Sequence, residues 1–278
     1  MKTIKRILLL TDFSDVADHA TNYAKLIAGN TKAEVDILHI INTPVDWSKL
    51  PLEKEKLYPE VKAEIGDARA RLSEMVMELS KLDIQAVESL VFNMGVEDIP
   101  RHIDNEKYDL IIMGSHGSRG VKPFRIGSNA QSVIRKADVP VLVVKASPEK
   151  ESIKRIVMAT TFDEDQRSFY KQATKYASDL KAEIDLLYVN TPYHFRETEE
   201  IENMQAFFCE GYPVKVCRKH HVDAYNEERG IQYFMEHTDA DLFTIAKANK
   251  SKLSGLFSSS LSEAVINHLD IPVLVFHI

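Results

Sequence analysis

Two spacings of apolar residues take turns along this chain. Compact apolar runs such as Ile7-Leu8-Leu9-Leu10 and Leu110-Ile111-Ile112-Met113 read as strands buried on both faces of a sheet. Between them the apolar positions fall at helical spacing: Val16, Ala20, Tyr23, Ala24, Ile27 and Ala28 share one stripe, and Gly29 reads as its C-terminal cap. Over the first 146 residues the pattern predicts strands at 5–10, 34–40, 85–92, 109–113 and 140–145. It predicts helices at 15–28, about 58–80, 96–105 and 128–136. Strands and helices alternating in this way imply a parallel sheet covered by helices on both faces. Such sheets take ligands beyond the carboxyl ends of their strands, where the strand order reverses. Asp12, Ile40 and Gly114 all fall at predicted strand ends, so three separate segments converge on one crevice.

The pattern is written twice. Lys5-Arg6-Ile7-Leu8 returns as Lys154-Arg155-Ile156-Val157, and Lys32-Ala33-Glu34-Val35-Asp36 as Lys181-Ala182-Glu183-Ile184-Asp185. Asn42-Thr43-Pro44 returns as Asn190-Thr191-Pro192, and Asp138-Val139-Pro140-Val141 as Asp270-Ile271-Pro272-Val273. Agreement in the same order over four blocks marks an internal repeat. The expected architecture is α/β, with two tandem, doubly wound, open parallel sheets of five strands each. The domains are residues 1–147 and 151–278, joined near Ser147-Pro148-Glu149-Lys150.

Composition narrows the function classes. The net charge of −7 argues against a nucleic-acid partner, which calls for a basic balance. Two cysteines in 278 residues imply no disulfide framework and favour a reducing, cytoplasmic setting. The apolar run after the N-terminal lysines stops at Thr11-Asp12, too short for a secretory leader. No segment approaches the ~20 apolar residues of a membrane span, so no membrane partner is expected.

The chemistry concentrates in Gly114-Ser115-His116-Gly117, followed by Gly127-Ser128, between a predicted strand and a predicted helix. A glycine-punctuated loop there lets backbone amides face a phosphate, and glycine leaves room for close approach. The spacing is neither G-x4-G-K-[ST] nor G-x-G-x-x-G. Each residue also has a plainer reading. Ser128-x-x-Gln131 fits a capping box, and Met113 fits a core filler. Asp12 fits a turn or cap residue, with Ser14 as the other cap. Arg119, Lys122 and Arg125 fit solvated charges as well as phosphate contacts. His116 fits a solvent-facing histidine better than a general base.

This loop resembles the nucleotide-binding loop of the universal stress proteins, in their ATP-binding branch. The likeness extends to Ile7-Leu8-Leu9-Leu10-Thr11-Asp12-Phe13-Ser14, to Leu38-His39-Ile40 and to Pro140-Val141-Leu142-Val143-Val144, and covers nearly all of residues 1–146. The resemblance implies bound ATP, or AMP or ADP, with Mg²⁺ as an optional companion. It puts Asp12 on the ribose hydroxyls, the Ile40 backbone on the adenine edge and Met113 beside the adenine. It puts Gly114 and Gly117 close to ribose and phosphates, and Gly127, Ser128 and the amide of Asn129 on the phosphates. The family usually has an apolar residue where Asn129 stands. Family dimers commonly form through the last strand, which implies an intrachain pseudo-dimer through residues 141–145 and 273–277. A homodimer is a further option.

The second half departs from this motif. The register is gapless from Asp109/Asp241 to Val144/Phe276, so Gly114 falls on Ala246, Gly117 on Asn249, Gly127 on Ser259 and Ser128 on Ser260. Asp12 falls on Thr161, and Ser260-x-x-Glu263 again fits a capping box. Nucleotide is therefore expected in the first half only. Cys209, Cys217, His220 and His221 match no standard zinc spacing, and a strand at 214–222 would point His220 and His221 to opposite faces. The expected function is a cytoplasmic nucleotide-binding stress-response protein with a regulatory or sensing role. The alternatives are a slow ATP hydrolase or phosphotransferase, and a ligand-independent scaffold. The loop lacks a Walker lysine and a Mg²⁺ carboxylate pair, so at most weak ATPase activity is expected.

Overall fold

The computed structural model describes residues 4–94, 99, 103, 107–116, 126–210, 216–247 and 259–277. The helix expected at 96–105, apart from Ile99 and Ile103, lies outside the described residues, as does the loop segment 117–125. The first half carries strands β1 (Arg6–Leu10), β2 (Glu34–Thr43), β3 (Ala86–Met94), β4 (Leu110–Gly114) and β5 (Val141–Val144). Its helices are α1 (Asp15–Thr31), α2 (Pro59–Lys81) and α3 (Ser128–Lys136). The second half carries β6 (Arg155–Ala159), β7 (Glu183–Asn190), β8 (Val216–Asp223), β9 (Leu242–Lys247) and β10 (Val273–His277). Its helices are α4 (Arg167–Leu180), α5 (Thr198–Phe208), α6 (Glu227–Glu236) and α7 (Ser259–His268).

The strands form one ten-stranded sheet in the order β3-β2-β1-β4-β5-β10-β9-β6-β7-β8. Each half is parallel throughout and reverses its strand order between its first and fourth strands. Strand alternation sorts the core onto two faces. Ile7 and Leu9 pack with Ala20, Ala24 and Ile27 of α1 and Leu72 and Leu79 of α2. Leu8 and Leu10 pack on the other face with Val133 and Ile134 of α3. Each such leucine, isoleucine or valine, buried from water, contributes about 1.5–3 kcal/mol. The same carboxylate staple opens both halves: Asp109 Oδ2 accepts from the amides of Lys5 (2.8 Å) and Arg6 (2.9 Å). Asp241 Oδ2 does the same for Lys154 (2.8 Å) and Arg155 (2.9 Å).

The end of α1 corrects the expectation at Gly29. The helix runs on to Thr31, whose buried hydroxyl donates to the Ile27 carbonyl at 2.8 Å. Lys32, at φ 60°, makes the left-handed cap, and its amide donates to the Ala28 carbonyl. Lys181 repeats this cap at φ 57°. Burial of the Thr31 face carries the helix past its glycine.

The halves meet along β5 and β10, which pair antiparallel with Val143 opposite Val273, Leu142 opposite Leu274 and Val141 opposite Val275. All six of these side chains are buried, so two apolar edges that would invite aggregation cover each other. Polar contacts flank the seam. The Ile4 amide donates to Asp179 Oδ2 at 2.7 Å, the Tyr176 hydroxyl donates to the Asp109 carbonyl, and His277 Nε2 donates to the Ile134 carbonyl at 2.6 Å.

Candidate functional site

The first crevice opens where β1 stops. The last rung of the β1–β2 ladder is the Thr11 amide on the Leu38 carbonyl, at 3.0 Å. Alternation along β2 turns the amide and carbonyl of Ile40 toward the same edge, one step beyond β1. Ile40 itself is half-buried and sits opposite Val91 of β3. The chain then turns through Phe13 at φ 60°, with its amide donating to Thr11 Oγ1 at 3.1 Å. A bulky residue in this conformation costs about 1–3 kcal/mol, held only by its surroundings. The second half repeats the turn at Phe162, φ 63°, whose amide donates to Thr160 Oγ1 at 3.1 Å.

Asp12 is exposed at the mouth of this crevice. Its Oδ1 accepts from the Ser14 hydroxyl (2.6 Å) and the Ser14 amide (3.2 Å). Ser14 is the N-cap of α1, accepting from the Ala17 amide at 3.3 Å, so capping falls to Ser14 and Asp12 orients it. Three neighbours escape sequence reasoning. The His39 ring lies 4.3 Å from that of Phe13, and its Nδ1 donates to the Thr11 carbonyl at 2.8 Å. Burial pushes the His39 pKa down, which favours the neutral ring with Nε2 as an acceptor. Arg71 of α2 stacks 4.4 Å over Phe13 and donates to its carbonyl at 3.1 Å. His39 and Phe13 lie within the quoted motifs, which assign a role to neither, and no spacing ties Arg71 to the site.

The opposite wall is the end of β4 and the start of α3. Met113 is buried in the core beneath α3, which is the core-filling placement. Gly114 closes β4 against α1: a Cβ there would stand 2.9 Å from Val16 Cγ1 and 3.2 Å from its backbone. Its smallness serves strand–helix packing. Ser115 is buried, donates its amide to the Val144 carbonyl at 2.8 Å and accepts the Gly127 amide at 2.7 Å. Its hydroxyl lies 2.9 Å from Nδ1 of the half-buried His116. Gly117 lies outside the described residues, as do Arg119, Lys122 and Arg125.

The capping box expected at Ser128 is out of register. Gly127 is the N-cap of α3, and the Gln131 amide donates to its carbonyl at 2.9 Å. Ser128 and Asn129 are the first two helical residues, both exposed. Among the described residues no side chain caps α3, and its first turn has no acidic residue. The leading amides and the positive end of the helix dipole lie beyond the carboxyl end of β4, a setting that favours an anion.

The second half spends the corresponding groups internally. Gln166 Oε1, fully buried, accepts from the Thr160 hydroxyl at 2.6 Å and the Thr161 amide at 3.2 Å. The Thr161 hydroxyl donates to Asp163 Oδ2 at 2.6 Å. Ala246 is buried within β9. With α7 starting at Ser259, Ser260 lies inside the helix and is not its cap. Glu263 reaches the first half instead, 3.5 Å from both Arg135 Nη2 and Gln131 Nε2 of α3. Asn249 lies outside the described residues. His220 Nε2 stands 3.5 Å from Asp185 Oδ2 with its ring 4.8 Å from Phe234, while His221 is exposed. Among the described residues no three His, Cys, Asp or Glu side chains group as metal ligands, and no helix is long and apolar enough to cross a membrane.

Comparison with known proteins agrees with the repeat. The model of the universal stress protein family matches residues 3–145 and again 152–277. Two universal stress proteins of Methanocaldococcus jannaschii are similar to about half of the chain. One is 30% identical over 153 residues, 51% of this chain and 94% of the relative. The other is 35% identical over 150 residues, 53% of this chain and 85% of the relative. Over the whole molecule, the fold matches a universal stress protein from Archaeoglobus fulgidus with a TM-score of 0.71 at 21% identity, covering 99% of this chain and 97% of that one. With both halves matched by the family model and the whole fold matched by a solved member, this chain belongs to the universal stress protein family.

Proposed function

We propose that this chain is an adenine-nucleotide-binding stress-response protein with a regulatory or sensing role, and that one ATP, ADP or AMP binds per chain, in the first half. Residues 1–147 form the nucleotide-binding domain and 151–278 a degenerate partner. The pairing of β5 with β10 supports a pseudo-dimer within one chain. The observation that carries the reading is the start of α3, without a side-chain cap among the described residues, after β4, with the Ile40 backbone beyond the last β1–β2 rung on the other side of the switch point. In this reading the Ile40 backbone meets adenine, with Met113 behind it and Gly114 beside the ribose. Asp12 takes the ribose hydroxyls. The Gly127, Ser128 and Asn129 segment takes the phosphates, with Gly117 on the loop between, and Mg²⁺ is an optional companion of the phosphates. In the second half Gln166 satisfies the Thr161 amide from within, at the position of Asp12, which supports the first-half assignment.

Calorimetric titration of the full chain with ATP tests this and is expected to give one site per chain. Turnover is expected far below an ordinary enzymatic ~10 s⁻¹, because positioning without metal carboxylates supplies little phosphoryl-transfer catalysis. Two equivalent sites would overturn the first-half assignment. Rapid multiple turnover would replace the regulatory reading with the enzymatic one.

A further inference from the structure

We infer that Asn267, a residue of the second half, is a positioning residue for the phosphate end of the first half's site; this rests on the nucleotide reading above. The amides that open α3 go where residues 126 and 127 are held. Two hydrogen bonds hold them. The Gly127 amide donates to the Ser115 carbonyl within the first half. The Ile126 amide donates across the seam to Asn267 Oδ1 at 2.7 Å. Asn267 is anchored in turn, since its carbonyl accepts from Lys145 Nζ at 2.7 Å, one residue past β5. Both bonds come from the first half, one from before α3 and one from the residue after β5, and together they hold the asparagine in place. One turn earlier, Glu263 meets Arg135 and Gln131, fixing α7 alongside α3.

The arrangement is one-sided. In the gapless register between the halves Asn267 corresponds to Arg135. An arginine side chain has five donors and no acceptor, so it cannot receive a backbone amide as Asn267 does. The second half thus braces the first half's cradle by a bond that the first half cannot return in kind. That direction agrees with the half in which the glycines persist. A half without a nucleotide motif would then contribute to binding through its partner.

The test uses the full chain with Asn267→Ala, which removes the acceptor, and Asn267→Asp, which keeps an acceptor of the same shape. Hydrogen exchange at the Ile126 amide is measured without nucleotide, and ATP and adenosine are titrated separately. N267A is expected to speed exchange at Ile126 and to weaken ATP about 3- to 10-fold while leaving adenosine unchanged. N267D, read by exchange alone because its charge opposes the phosphates, is expected to keep the protection. Unchanged exchange in N267A, lost protection in N267D, or equal weakening of ATP and adenosine would each overturn the inference. If the unaltered chain binds neither ligand, the nucleotide reading and the phosphate role fall together. The exchange comparison still decides whether Asn267 holds the loop.

Discussion

Gly127→Val is expected to take ATP binding out of the micromolar range, while Ser259→Val, its counterpart in the second half, leaves binding unchanged. The backbone at Gly127, with φ −70° and ψ 155°, is one that valine adopts freely. The obstacle is contact: a Cβ there would stand 3.3 Å from His116 Cα and 3.7 Å from the Ser115 carbonyl oxygen. Valine's two methyls extend further into the same wall. They would force apart the 2.7 Å bond between Gly127 and Ser115 and displace the start of α3. Each hydrogen bond lost to a charged phosphate costs about 1.5–3 kcal/mol, or about 10- to 150-fold in affinity. Two such losses exceed any compensation from the adenosine end. Calorimetry on both variants, with circular dichroism to establish folding, checks the pair. Retained affinity in G127V, or weakened affinity in S259V, would count against the cradle.

The parts of this molecule that follow from local pattern were legible in the sequence. The repeat and the strand ends beside Asp12 and Gly114 follow from apolar runs and from where they stop, whereas β2 runs on to Thr43, so Ile40 lies within the strand and not at its end as expected. The span of α3 follows for the same reason. Helix ends were less legible. A buried Thr31 outweighs Gly29, and a lysine rather than a glycine takes the left-handed cap. At α3 the serine and the preceding glycine compete for the cap, and the Gly127–Ser115 bond decides it. What sequence could not carry was lateral contact. Arg71 stands 58 residues from the Phe13 carbonyl that it binds, and Asn267 stands 141 residues from Ile126. No periodicity links such pairs. The expected glycine roles also divided by environment: Gly114 makes room for Val16, whereas Gly127 makes room for His116.

Asp36→Asn is expected to destabilise the chain by about 1.5–3 kcal/mol at neutral pH, whereas Asp185→Asn, at the same place in the repeat, changes stability by under about 0.5 kcal/mol. Both carboxylates are 1% exposed, so burial is equal and the partners decide. Asp36 Oδ2 accepts from Lys107 Nζ at 2.7 Å and from the Tyr108 hydroxyl at 2.9 Å, with Arg6 Nη2 at 3.4 Å. Carried two positions upstream of Asp109/Asp241, the register puts Asp239 and Ala240 where Lys107 and Tyr108 stand. Among the described residues Asp185 has Arg155 Nε at 3.8 Å and His220 Nε2 at 3.5 Å, and its Oδ1 has no hydrogen-bond partner. Asparagine preserves volume at both sites, so no cavity confuses the comparison. Burial by itself would raise the Asp36 pKa, but the bonds from Lys107 and Tyr108 and the charges of Lys107 and Arg6 outweigh it and hold the carboxyl below its ordinary value. A folded pKa below the unfolded one means that this stabilisation is complete above the unfolded value of ~3.9 and is lost as pH falls through the folded value. Urea midpoints measured from pH 7 down to pH 3 should therefore show the gap between the unaltered chain and D36N closing with acid. A gap that does not narrow between pH 7 and pH 3, or an equal loss in D185N at pH 7, would mean that the paired charges of the first half are not what stabilises it.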